Sequence, residues 1–363
     1  MFIIHIISNK VWGGGEVYAL SLMTRQQSDG HKVLAVTRGI ADVDSHISQC
    51  GIKLATMPLR GYFDLKSAWR LAKIMRTADM DGQIVIHAHN FSDAFVAIHA
   101  RRLAWCRKPR IVVTRHLIRK AKTWPPHPML YRNIDTLIFV SALSRDVFLS
   151  SKPRTGKCDI RVIHNAETVP ENVQPKDLRT LYGIGDDCVI AMYHGRLAKE
   201  KGLETLLEAL TMCTAKNIHL AICGSGDEKY VAKINKKIKK AKLTERVTLT
   251  GFVKDMAPLI AGCDFGVIPT TAPEAFGLSC VEYMALGKTL LTTDNGAQKE
   301  YIRNGENGLL VPPADALALA AAMQLVAAEP SLRQKLGSEA LKTVREELNY
   351  ETFYKEIMNA YTD

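Results

Sequence analysis

The segment from residue 264 to residue 282 reads DFGVIPTTAPEAFGLSCVE, and it joins a short apolar run to a helical pattern through a loop. The run 264–269 is typical of a buried strand in a parallel sheet, whereas the apolar spacing from Leu278 onward is that of a helix. In an open α/β sheet, the carboxyl ends of the strands line the ligand crevice. The segment therefore predicts a strand, a crevice loop and a helix that begins at the crevice.

Two carboxylates in this segment are separated by seven residues. Glu274 precedes the helix and is expected to point into the crevice, and Glu282 on the helix could accept hydrogen bonds from vicinal hydroxyls such as those of a ribose. A helix N-terminus offers unpaired N–H groups to a phosphate, so the backbone near Phe276, Gly277 and Leu278 is expected to hold a diphosphate. The alternative is a capping glutamate and a surface glutamate with no ligand.

A second strand, loop and helix carry cations instead of carboxylates. The stretch Gly195-Arg-Leu-Ala-Lys-Glu-Lys201-Gly202 follows the apolar run 189–193 and is expected to begin a helix that ends near Met212. Arg196 and Lys201 have no carboxylate obliged to pair with them, and they suit a diphosphate leaving group. Exposed cations often serve solubility alone, but the repeated strand, loop and helix favour a ligand here.

Near the amino terminus, Gly13, Gly14 and Gly15 lie between an expected strand at 2–7 and an expected helix at 17–27. Three glycines let the backbone approach a bound group closely and adopt positive φ angles. Their spacing matches neither the dinucleotide fingerprint nor the P-loop. A turn without a ligand would explain the triplet about as well.

Together these segments resemble the retaining glycosyltransferases of family 4, also called group 1, over nearly the whole chain. The specific motifs are Glu-x7-Glu, Gly-Arg-x4-Lys-Gly, GAQKE at 296–300 and NGENGLLV at 304–311. The resemblance implies the GT-B fold of two facing Rossmann-like domains with parallel sheets. It also implies a nucleotide-diphosphate sugar as donor and no requirement for a metal or another cofactor.

The resemblance gives each motif residue of the second half a role. Arg196 and Lys201 would neutralise the donor diphosphate. Glu282 would bind the ribose, and Glu274 would bind hydroxyls of the transferred sugar. The backbone expected to meet the base is that of Gly251, Phe252 and Val253.

In the first half, the resemblance implies that Gly14 and Gly15 close over the phosphates from the other domain. His116 follows the expected strand 110–114 and would lie near the donor sugar. As a general base it would fit an inverting mechanism. By resemblance it instead orients or stabilises the sugar in a front-face, retaining transfer, and the residues alone leave both roles open.

Two features could suggest a metal site. Asp42 and Asp44 imitate the Asp-x-Asp of the other large glycosyltransferase fold, but they open a probable helix, where the helix dipole favours acidic side chains. His87 and His89 alternate at a strand end and could share a metal. Because no third ligand is identifiable, a hydrogen-bonding role is expected for them.

The chain of 363 residues exceeds what one core supports, and strand and helix patterns alternate throughout, which predicts two α/β domains. We expect an acceptor-side domain at 1–167, a nucleotide-sugar-binding domain at 168–349 and a helix at 350–363 that crosses back. At the junction, His164-Asn165-Ala166-Glu167 replaces the family's Pro-Asn-Gly-Val, which affects the hinge geometry. The expected strands are 2–7, 32–37, 53–57, 84–89, 110–114, 136–140, 160–163, 189–193, 218–223, 247–250, 265–268, 289–292 and 309–311.

The positive charge is concentrated in the first half. Residues 1–165 carry 25 Lys or Arg and 11 Asp or Glu, whereas the remainder carries 23 and 26. Cations interspersed with aromatic residues suit an anionic bilayer, so we hypothesise a membrane-facing surface and a lipid-linked or lipopolysaccharide-type acceptor. A merely soluble basic face is the alternative. The residues concerned are Arg101, Arg102, Arg107, Lys108, Arg110, Arg115, Arg119, Lys120, Lys122 and Arg132, with Trp105, Trp124 and Tyr131.

Eight cysteines are scattered singly, which favours a reducing cytoplasm. A signal peptide is not expected, because the first residues lack a basic region followed by a long apolar core. A membrane-spanning segment is not expected either, since the longest apolar stretch, 314–328, is too short and is interrupted by polar residues. The expected location is the cytoplasm, with peripheral attachment to the inner face of the plasma membrane if the basic surface binds lipid.

The sequence thus predicts a metal-independent, retaining hexosyltransferase that uses a UDP- or GDP-sugar and a glycan or glycolipid acceptor. Bacterial lipopolysaccharide, capsule or lipid-linked glycan synthesis is the expected setting. One alternative is a nucleotide-sugar epimerase on the same fold, which would act without an acceptor. Another is a non-catalytic protein that binds membrane or nucleic acid, although no helix-turn-helix, zinc finger or RNP signature supports a nucleic-acid partner.

Overall fold

The computed structural model describes residues 1–78, 82–105 and 108–363. These residues form two compact units, one built from Met1–Asn165 with Glu351–Asp363 and the other from Ala166–Tyr350. We call them the first and the second domain. Each contains one parallel sheet flanked by helices.

The sheet of the first domain is formed by β1 (Phe2–Ile7), β2 (Lys32–Thr37), β3 (Lys53–Thr56), β4 (Ile84–Ala88), β5 (Arg110–Arg115), β6 (Thr136–Phe139) and β7 (Asp159–Val162). The strands are parallel in the order β3-β2-β1-β4-β5-β6-β7. All six residues of β1 are buried, because a central parallel strand is covered on both faces. The chain order reverses between β1 and β4, the type of position where open α/β sheets bind ligands.

The first domain's helices are α1 (Gly14–Ser28), α2 (Ala41–Gln49), α3 (Leu65–Thr77), α4 (Phe91–Leu103), α5 (His127–Arg132) and α6 (Ala142–Leu149). Polar side chains fix several of their starts. Asp64, Asn90 and Ser141 each accept a hydrogen bond from an N–H group in the first turn of the helix that follows. Most of the core lies between the sheet and α3, α4 and α6, and it includes Ile4, Ile86, Leu71, Phe95, Ile111 and Phe148.

The second domain's sheet is formed by β8 (Val189–His194), β9 (Ile218–Cys223), β10 (Val247–Gly251), β11 (Phe265–Ile268), β12 (Thr289–Thr293) and β13 (Leu309–Val311). The parallel order is β10-β9-β8-β11-β12-β13, so this sheet reverses between β8 and β11. The helices are α7 (Leu178–Tyr182), α8 (Leu203–Met212), α9 (Glu228–Lys240), α10 (Ala257–Gly262), α11 (Leu278–Ala285), α12 (Ala316–Ala328) and α13 (Pro330–Glu346).

The C-terminal helix α14 (Tyr350–Thr362) packs on the first domain. Glu351 pairs with Arg25, and the Tyr361 hydroxyl is hydrogen-bonded to His87 at 2.7 Å and to Gln26 at 3.1 Å. Arg110 donates to the carbonyl of Ala360 at 2.9 Å and so satisfies a carbonyl at the helix end. Both the charged surface and the buried polar face of α14 therefore have partners on the first domain.

The α/β architecture with two parallel sheets is the predicted one, and each expected strand is present with bounds that differ by at most one residue. The expected start of α1 is wrong. The helix begins at Gly14 instead of Val17, and none of Gly13, Gly14 and Gly15 has a positive φ angle. Glycine is a poor helix former, which is why the sequence favoured a loop there.

The apolar stretch expected at 314–328 is largely helix α12, which packs against α8 and α13. Within the described parts of the chain, no helix combines the length and the apolar character that crossing a bilayer would require.

Candidate active site

The loops that follow β8 and β11 are held together by a close backbone contact in the second domain. Gly202 has a φ of +73°, and a Cβ atom at this position would lie 1.8 Å from the carbonyl oxygen of Pro269. The backbone N–H of Thr271 and the hydroxyl of Thr270 donate to the carbonyl of Glu200, at 2.9 and 3.0 Å. A glycine is therefore required at 202 for the two loops to meet.

This contact brings Lys201 and Glu274 together across the sheet's reversal point. The Lys201 ammonium donates to Glu274 Oε1 at 2.5 Å, and the two side chains are 24% and 19% exposed. The expectation that no carboxylate pairs with Lys201 is wrong. The partners are far apart in sequence, and only the packing of the two loops joins them.

Arg196 also has a carboxylate partner, but on the surface. Its guanidinium donates to Glu200 Oε1 at 2.6 Å, and both side chains are largely exposed. An exposed pair with i,i+4 spacing contributes little to stability and exchanges readily with other partners. The guanidinium thus stays available to an anion at the end of β8.

Glu282 on α11 is bound by a residue that the sequence analysis missed. The last residue of β8, His194, is buried, and its Nε2 donates to Glu282 Oε2 at 2.5 Å. Among the described residues, His194 Nδ1 has no hydrogen-bond partner. The position of His194 between a buried strand and Gly195, at the crevice end, was the signal that could have identified it.

Glu167, at the start of the second domain, is a second missed carboxyl group. Its backbone N–H donates to the carbonyl of Leu348 at 3.4 Å, where the chain leaves this domain. Burial, and secondly the negative charge of Glu282, raise the pKa of Glu167 to about 7. The junction sequence therefore places an acid that is partly protonated at neutral pH beside the Glu282 carboxylate.

The N-terminus of α11 lies directly after the Glu274 loop, as the sequence predicts, and its role in binding an anion stays a prediction. Gly277 caps the helix at a φ of +95° and no side chain caps it. Phe276 is buried against the Tyr301 ring, and the Tyr301 hydroxyl donates to the Phe276 carbonyl at 2.8 Å. These contacts fix the backbone just before Leu278, where helix N–H groups point out of the first turn.

The GAQKE motif at 296–300 contacts the backbone of Glu274. Ala297 donates its backbone N–H to the Glu274 carbonyl at 3.0 Å, and a Cβ at Gly296 would lie 2.6 Å from the Glu274 nitrogen. The motif therefore positions the Glu274 loop, a role that its sequence alone did not reveal.

Gly251, Phe252 and Val253 lie at the carboxyl end of β10, the edge strand that is two strands away from β8. The Phe252 ring is 68% exposed. The Gly251 carbonyl accepts from the backbone N–H of Gly224 at 2.8 Å, which ties this loop to the end of β9. The predicted base-binding segment thus borders the same edge of the sheet as Lys201 and Glu274 without contacting either.

In the first domain, Gly15 and His116 are brought together. A Cβ at Gly15 would lie 3.7 Å from the His116 ring, and Gly14 occupies the first position of α1. His116 follows β5 directly, and among the described residues its buried Nε2 has no hydrogen-bond partner. The roles that the resemblance gives to Gly14, Gly15 and His116 stay predictions.

A row of buried histidines extends from His116 into the first domain. His89 stacks on His116, and His87 and His5 stack beside it, with ring centroids 4.5–5.8 Å apart. His5 and His87 are paired in register on β1 and β4. His5 is the third histidine that the sequence did not identify, because strand pairing alone brings it to the other two.

The ligand atoms of His5, His87 and His89 lie within 4.8 Å of one another. The nitrogens of His5 and His87 are engaged in hydrogen bonds, with Gln26 at 2.8 Å, with Thr114 and Tyr361 at 2.7 Å, and between His5 and His89 at 3.1 Å. A metal ion would have to displace some of these bonds. The contacts favour the hydrogen-bonding role over the metal site.

Burial lowers the pKa of His5 and His116 to about 4, and it lowers the pKa of His87 and His89 well below the usual range. The four imidazoles are therefore neutral near pH 7. A neutral ring can accept a proton or a hydrogen bond, and it adds no positive charge beside a bound anion.

The basic segment does not form one surface, contrary to expectation. Helix α4 ends near Trp105 at the amino edge of the sheet, and β5 then carries the chain to the carboxyl edge, where Trp124 lies; the two rings are 78% and 58% exposed. Arg101 pairs with Asp135, and the half-buried Arg115 lies against the Phe91 and Phe148 rings. Arg110 binds α14 and Tyr131 is buried, whereas Arg107 lies outside the described residues.

The cations that remain exposed at the carboxyl edge are Arg119, Lys120 and Lys122, beside Trp124. The exposed cations of this segment at the amino edge are, among the described residues, Arg102, Lys108 and Arg132. Asp42 and Asp44 lie in the first turn of α2, as expected for helix-start acids.

Two family models match the chain, one in each domain. Glycosyltransferase Family 4 matches residues 12–166, and Glycosyl transferases group 1 matches residues 176–343. Together they leave only the two ends and the linker at 167–175 unmatched. The chain belongs to the group 1 glycosyltransferases. The predicted family is thereby confirmed.

Several relatives of this glycosyltransferase cover most of the chain. EpsD of Bacillus subtilis, described as a glycosyltransferase, is 26% identical over 76% of this chain and 74% of its own length. LpsD of Rhizobium meliloti, a lipopolysaccharide core biosynthesis glycosyltransferase, is 25% identical over 81% of this chain and 78% of its own. A crystal structure of HepE from Anabaena with UDP has a TM-score of 0.85 at 20% identity and covers 99% of both chains. The likeness confirms the GT-B fold.

The histidine row gives the glycosyltransferase a specific pH dependence. A histidine that stays neutral when folded but binds a proton when unfolded costs about 1.4 kcal/mol of stability per pH unit below its unfolded pKa of about 6.5. Stability attributable to His89 is therefore present above pH 6.5 and is lost progressively as the pH falls below that value. We expect His89→Gln to lose less unfolding free energy than the wild type between pH 7 and pH 5.

Urea unfolding at several pH values measures this difference in slope. The partly exposed His46, changed to Gln, is the matched control and should keep the wild-type slope. Identical slopes for the wild type and His89→Gln would show that the histidine row does not resist protonation.

Proposed function

We propose that this glycosyltransferase moves a sugar from a nucleotide-diphosphate sugar to a hydroxyl acceptor, without a metal ion and with retention of the anomeric configuration. The observation that carries the proposal is the Lys201–Glu274 pair, held where the second sheet reverses between β8 and β11. A cation and a carboxylate at this point match the two ends of such a donor, since one end is an anionic diphosphate and the other a polyhydroxylated sugar.

The leaving group of this reaction is a nucleoside diphosphate, whose negative charge grows as the sugar–oxygen bond breaks. Lys201 and Arg196 lie in the same segment after β8. The N-terminus of α11, which no side chain caps, adds backbone N–H groups. When the diphosphate binds, it replaces Glu274 as the partner of the Lys201 ammonium. Glu274 can then accept hydrogen bonds from sugar hydroxyls. Two cations and a helix N-terminus then stabilise the departing charge.

Glu282 is assigned to the ribose. Its Oε2 already accepts from His194, which fixes the rotamer and leaves Oε1 for a ribose hydroxyl. The backbone of Gly251, Phe252 and Val253 at the end of β10 is assigned to the base. HepE binds UDP, and another of its structures contains UDP-glucose, which supports a UDP-sugar as the first donor to test.

Relatives in lipopolysaccharide core synthesis support a cell-envelope glycan as the product. We place the acceptor-facing surface at the carboxyl edge of the first sheet. There the exposed cations Arg119, Lys120 and Lys122 lie beside Trp124, and the Tyr62–His127 contact of 3.4 Å joins this loop to the one that carries Phe63. Cations with exposed aromatic rings suit the headgroup region of an anionic membrane.

Thermal melting with a panel of UDP, GDP, ADP and CDP and their sugars tests the donor site. A ligand at 100 times its dissociation constant adds about 2.7 kcal/mol, which raises the melting temperature by roughly 5–10 °C. Glu282→Gln should weaken the effective nucleotide by roughly tenfold to a hundredfold, since it removes a charged acceptor. The exposed Glu339, changed to Gln, should bind like the wild type, and equal binding by Glu282→Gln would remove Glu282 from the ribose site.

Turnover with the selected donor and a panel of alkyl glycosides tests the transfer itself. We expect Lys201→Met to reduce kcat roughly 10²–10³-fold, as the loss of one charge-stabilising donor does. The exposed Lys236→Met variant is the control and should keep normal kcat.

The stereochemistry and the metal requirement are tested with the wild type. The NMR spectrum of the product should show the donor's anomeric configuration, and turnover should be unchanged when a chelator is present. An inverted product would refute retention, and an altered sugar released without an acceptor would favour the epimerase alternative.

Flotation with anionic vesicles tests the membrane surface. Each Lys or Arg near the headgroups contributes about 1 kcal/mol, so replacing Arg119, Lys120 and Lys122 by Gln should weaken binding by roughly a hundredfold at low salt. The charge-matched control replaces Lys236, Lys239 and Lys240 on α9 by Gln. If both triple variants bind vesicles alike, the surface at the carboxyl edge is not the membrane contact.

A further inference from the structure

A cavity of about 470 Å³ opens in the first domain at the carboxyl ends of β2 and β3. It is formed where the loop after β2, the loop after β3 and the second turn of α3 meet. In parallel α/β sheets this edge is the one that binds ligands. The residues that line the cavity are Arg38, Gly39, Thr56, Met57, Pro58, Arg60 and Arg70.

Three of these residues are arginines and none is acidic. Among the described residues, no carboxylate forms an ion pair with Arg38, Arg60 or Arg70. The nearest acid in sequence, Asp64, uses its oxygens to accept from the N–H groups of Arg60 and Ser67 and from the Ser67 hydroxyl. The Asp64 carboxylate also interacts electrostatically with Arg60 but forms no ion pair with it, so the three arginines outnumber the acids near the cavity.

Arg38 is held in place by the loop after β3. Its guanidinium donates to the Leu59 carbonyl at 2.6 Å, and Leu59 is a buried residue with a φ of +46°. A left-handed leucine is strained and persists only where the surroundings impose it. The buried Nε of Arg38 has no partner within the described parts of the chain, so this fixed guanidinium retains hydrogen-bonding capacity.

Asp93 interacts electrostatically with Arg38. It is fully buried and accepts from the backbone N–H of Ser8 at 3.3 Å. Burial raises the pKa of Asp93 to about 7, so near neutral pH it is only partly ionised. Three guanidinium groups against Asp64 and the partly neutral Asp93 leave the cavity with a net positive charge.

We propose that this cavity binds a phosphate or diphosphate group of the acceptor substrate. Guanidinium groups bind phosphate oxygens through paired hydrogen bonds, and three of them around one cavity suit a group with several charged oxygens. The inference rests on the proposed function, because it assigns the phosphate to the acceptor on the ground that Arg196 and Lys201, the cations assigned to the donor diphosphate, belong to the second domain.

The segment that joins two of the cavity's arginines indicates what else the acceptor carries. Between Arg60 and Arg70 the chain exposes Phe63, Leu65 and Trp69, which are 80%, 59% and 52% accessible. Exposed apolar side chains on the same loop and helix as two of the cavity's arginines suit a phosphate attached to an apolar carrier. The acceptor class is therefore a phosphorylated molecule, and its phosphate can come from a lipid or from a soluble compound.

Calorimetric titration with inorganic pyrophosphate at fixed ionic strength tests the cavity. The wild type should bind two pyrophosphates, one on Arg196 and Lys201 and one in the cavity. Arg60→Gln/Arg70→Gln should lose one of them or bind it at least tenfold more weakly, whereas Lys201→Met should lose the other. The charge-matched control, Lys53→Gln/Lys157→Gln, alters exposed lysines outside the cavity and should bind both.

Wild-type binding by Arg60→Gln/Arg70→Gln would overturn the inference. Loss of one site in that variant together with no change in Lys201→Met would support the cavity and contradict the donor site. Both replaced arginines are exposed, so an unchanged melting temperature is expected and checks the fold.

A second arm identifies the source of the phosphate. Flotation compares vesicles of phosphatidylcholine that contain one tenth phosphatidic acid with vesicles that contain phosphatidylglycerol at equal charge. A preference for phosphatidic acid that Arg60→Gln/Arg70→Gln removes supports a lipid phosphate. Pyrophosphate binding without that preference supports a soluble phosphorylated acceptor.

Discussion

The contact between Gly202 and the Pro269 carbonyl is the constraint on which the candidate site depends. It brings the loop after β8 against the loop after β11, and a side chain at 202 would separate them. Lys201 and Glu274 then meet as a consequence of backbone packing. A salt bridge of this kind is weak evidence for stability, because desolvation offsets much of the attraction. In the proposed function, the pair lies at the reversal point of the sheet because the donor binds there.

The charged groups around this point each have a partner that a ligand can replace. Lys201 and Arg196 are each paired with a carboxylate, and Glu282 is hydrogen-bonded to His194. A diphosphate with a sugar and a ribose offers an exchange partner for each group, so that few charges are left unpaired on binding. In the first domain the arrangement differs, because Arg38, Arg60 and Arg70 around the cavity form no ion pair with any carboxylate among the described residues.

Much of the fold followed from the sequence because it depends on local patterns. The strand bounds were predicted to within one residue, since buried parallel strands are short apolar runs between loops and helices. The start of α1 was predicted wrongly, because the packing of the first turn overrides the low helix propensity of Gly14 and Gly15. Motif spacing identified Glu274, Glu282 and Lys201, but their pairing depends on contacts between distant segments.

The same limit explains the missed residues and the misplaced surface. His5 reaches His87 only through the register of β1 and β4, and His194 reaches Glu282 through the packing of α11 on β8. The basic segment was treated as one surface because it is continuous in sequence. Strand β5 runs through this segment, however, so Trp105 and Trp124 lie at opposite edges of the sheet.

The most direct test of the central claim is a crystal structure of this glycosyltransferase with the nucleotide sugar that melting experiments select. The account predicts diphosphate oxygens about 3 Å from Lys201 Nζ, a ribose hydroxyl on Glu282 and a sugar hydroxyl on Glu274. A donor bound elsewhere, with the Lys201–Glu274 pair intact, would contradict it.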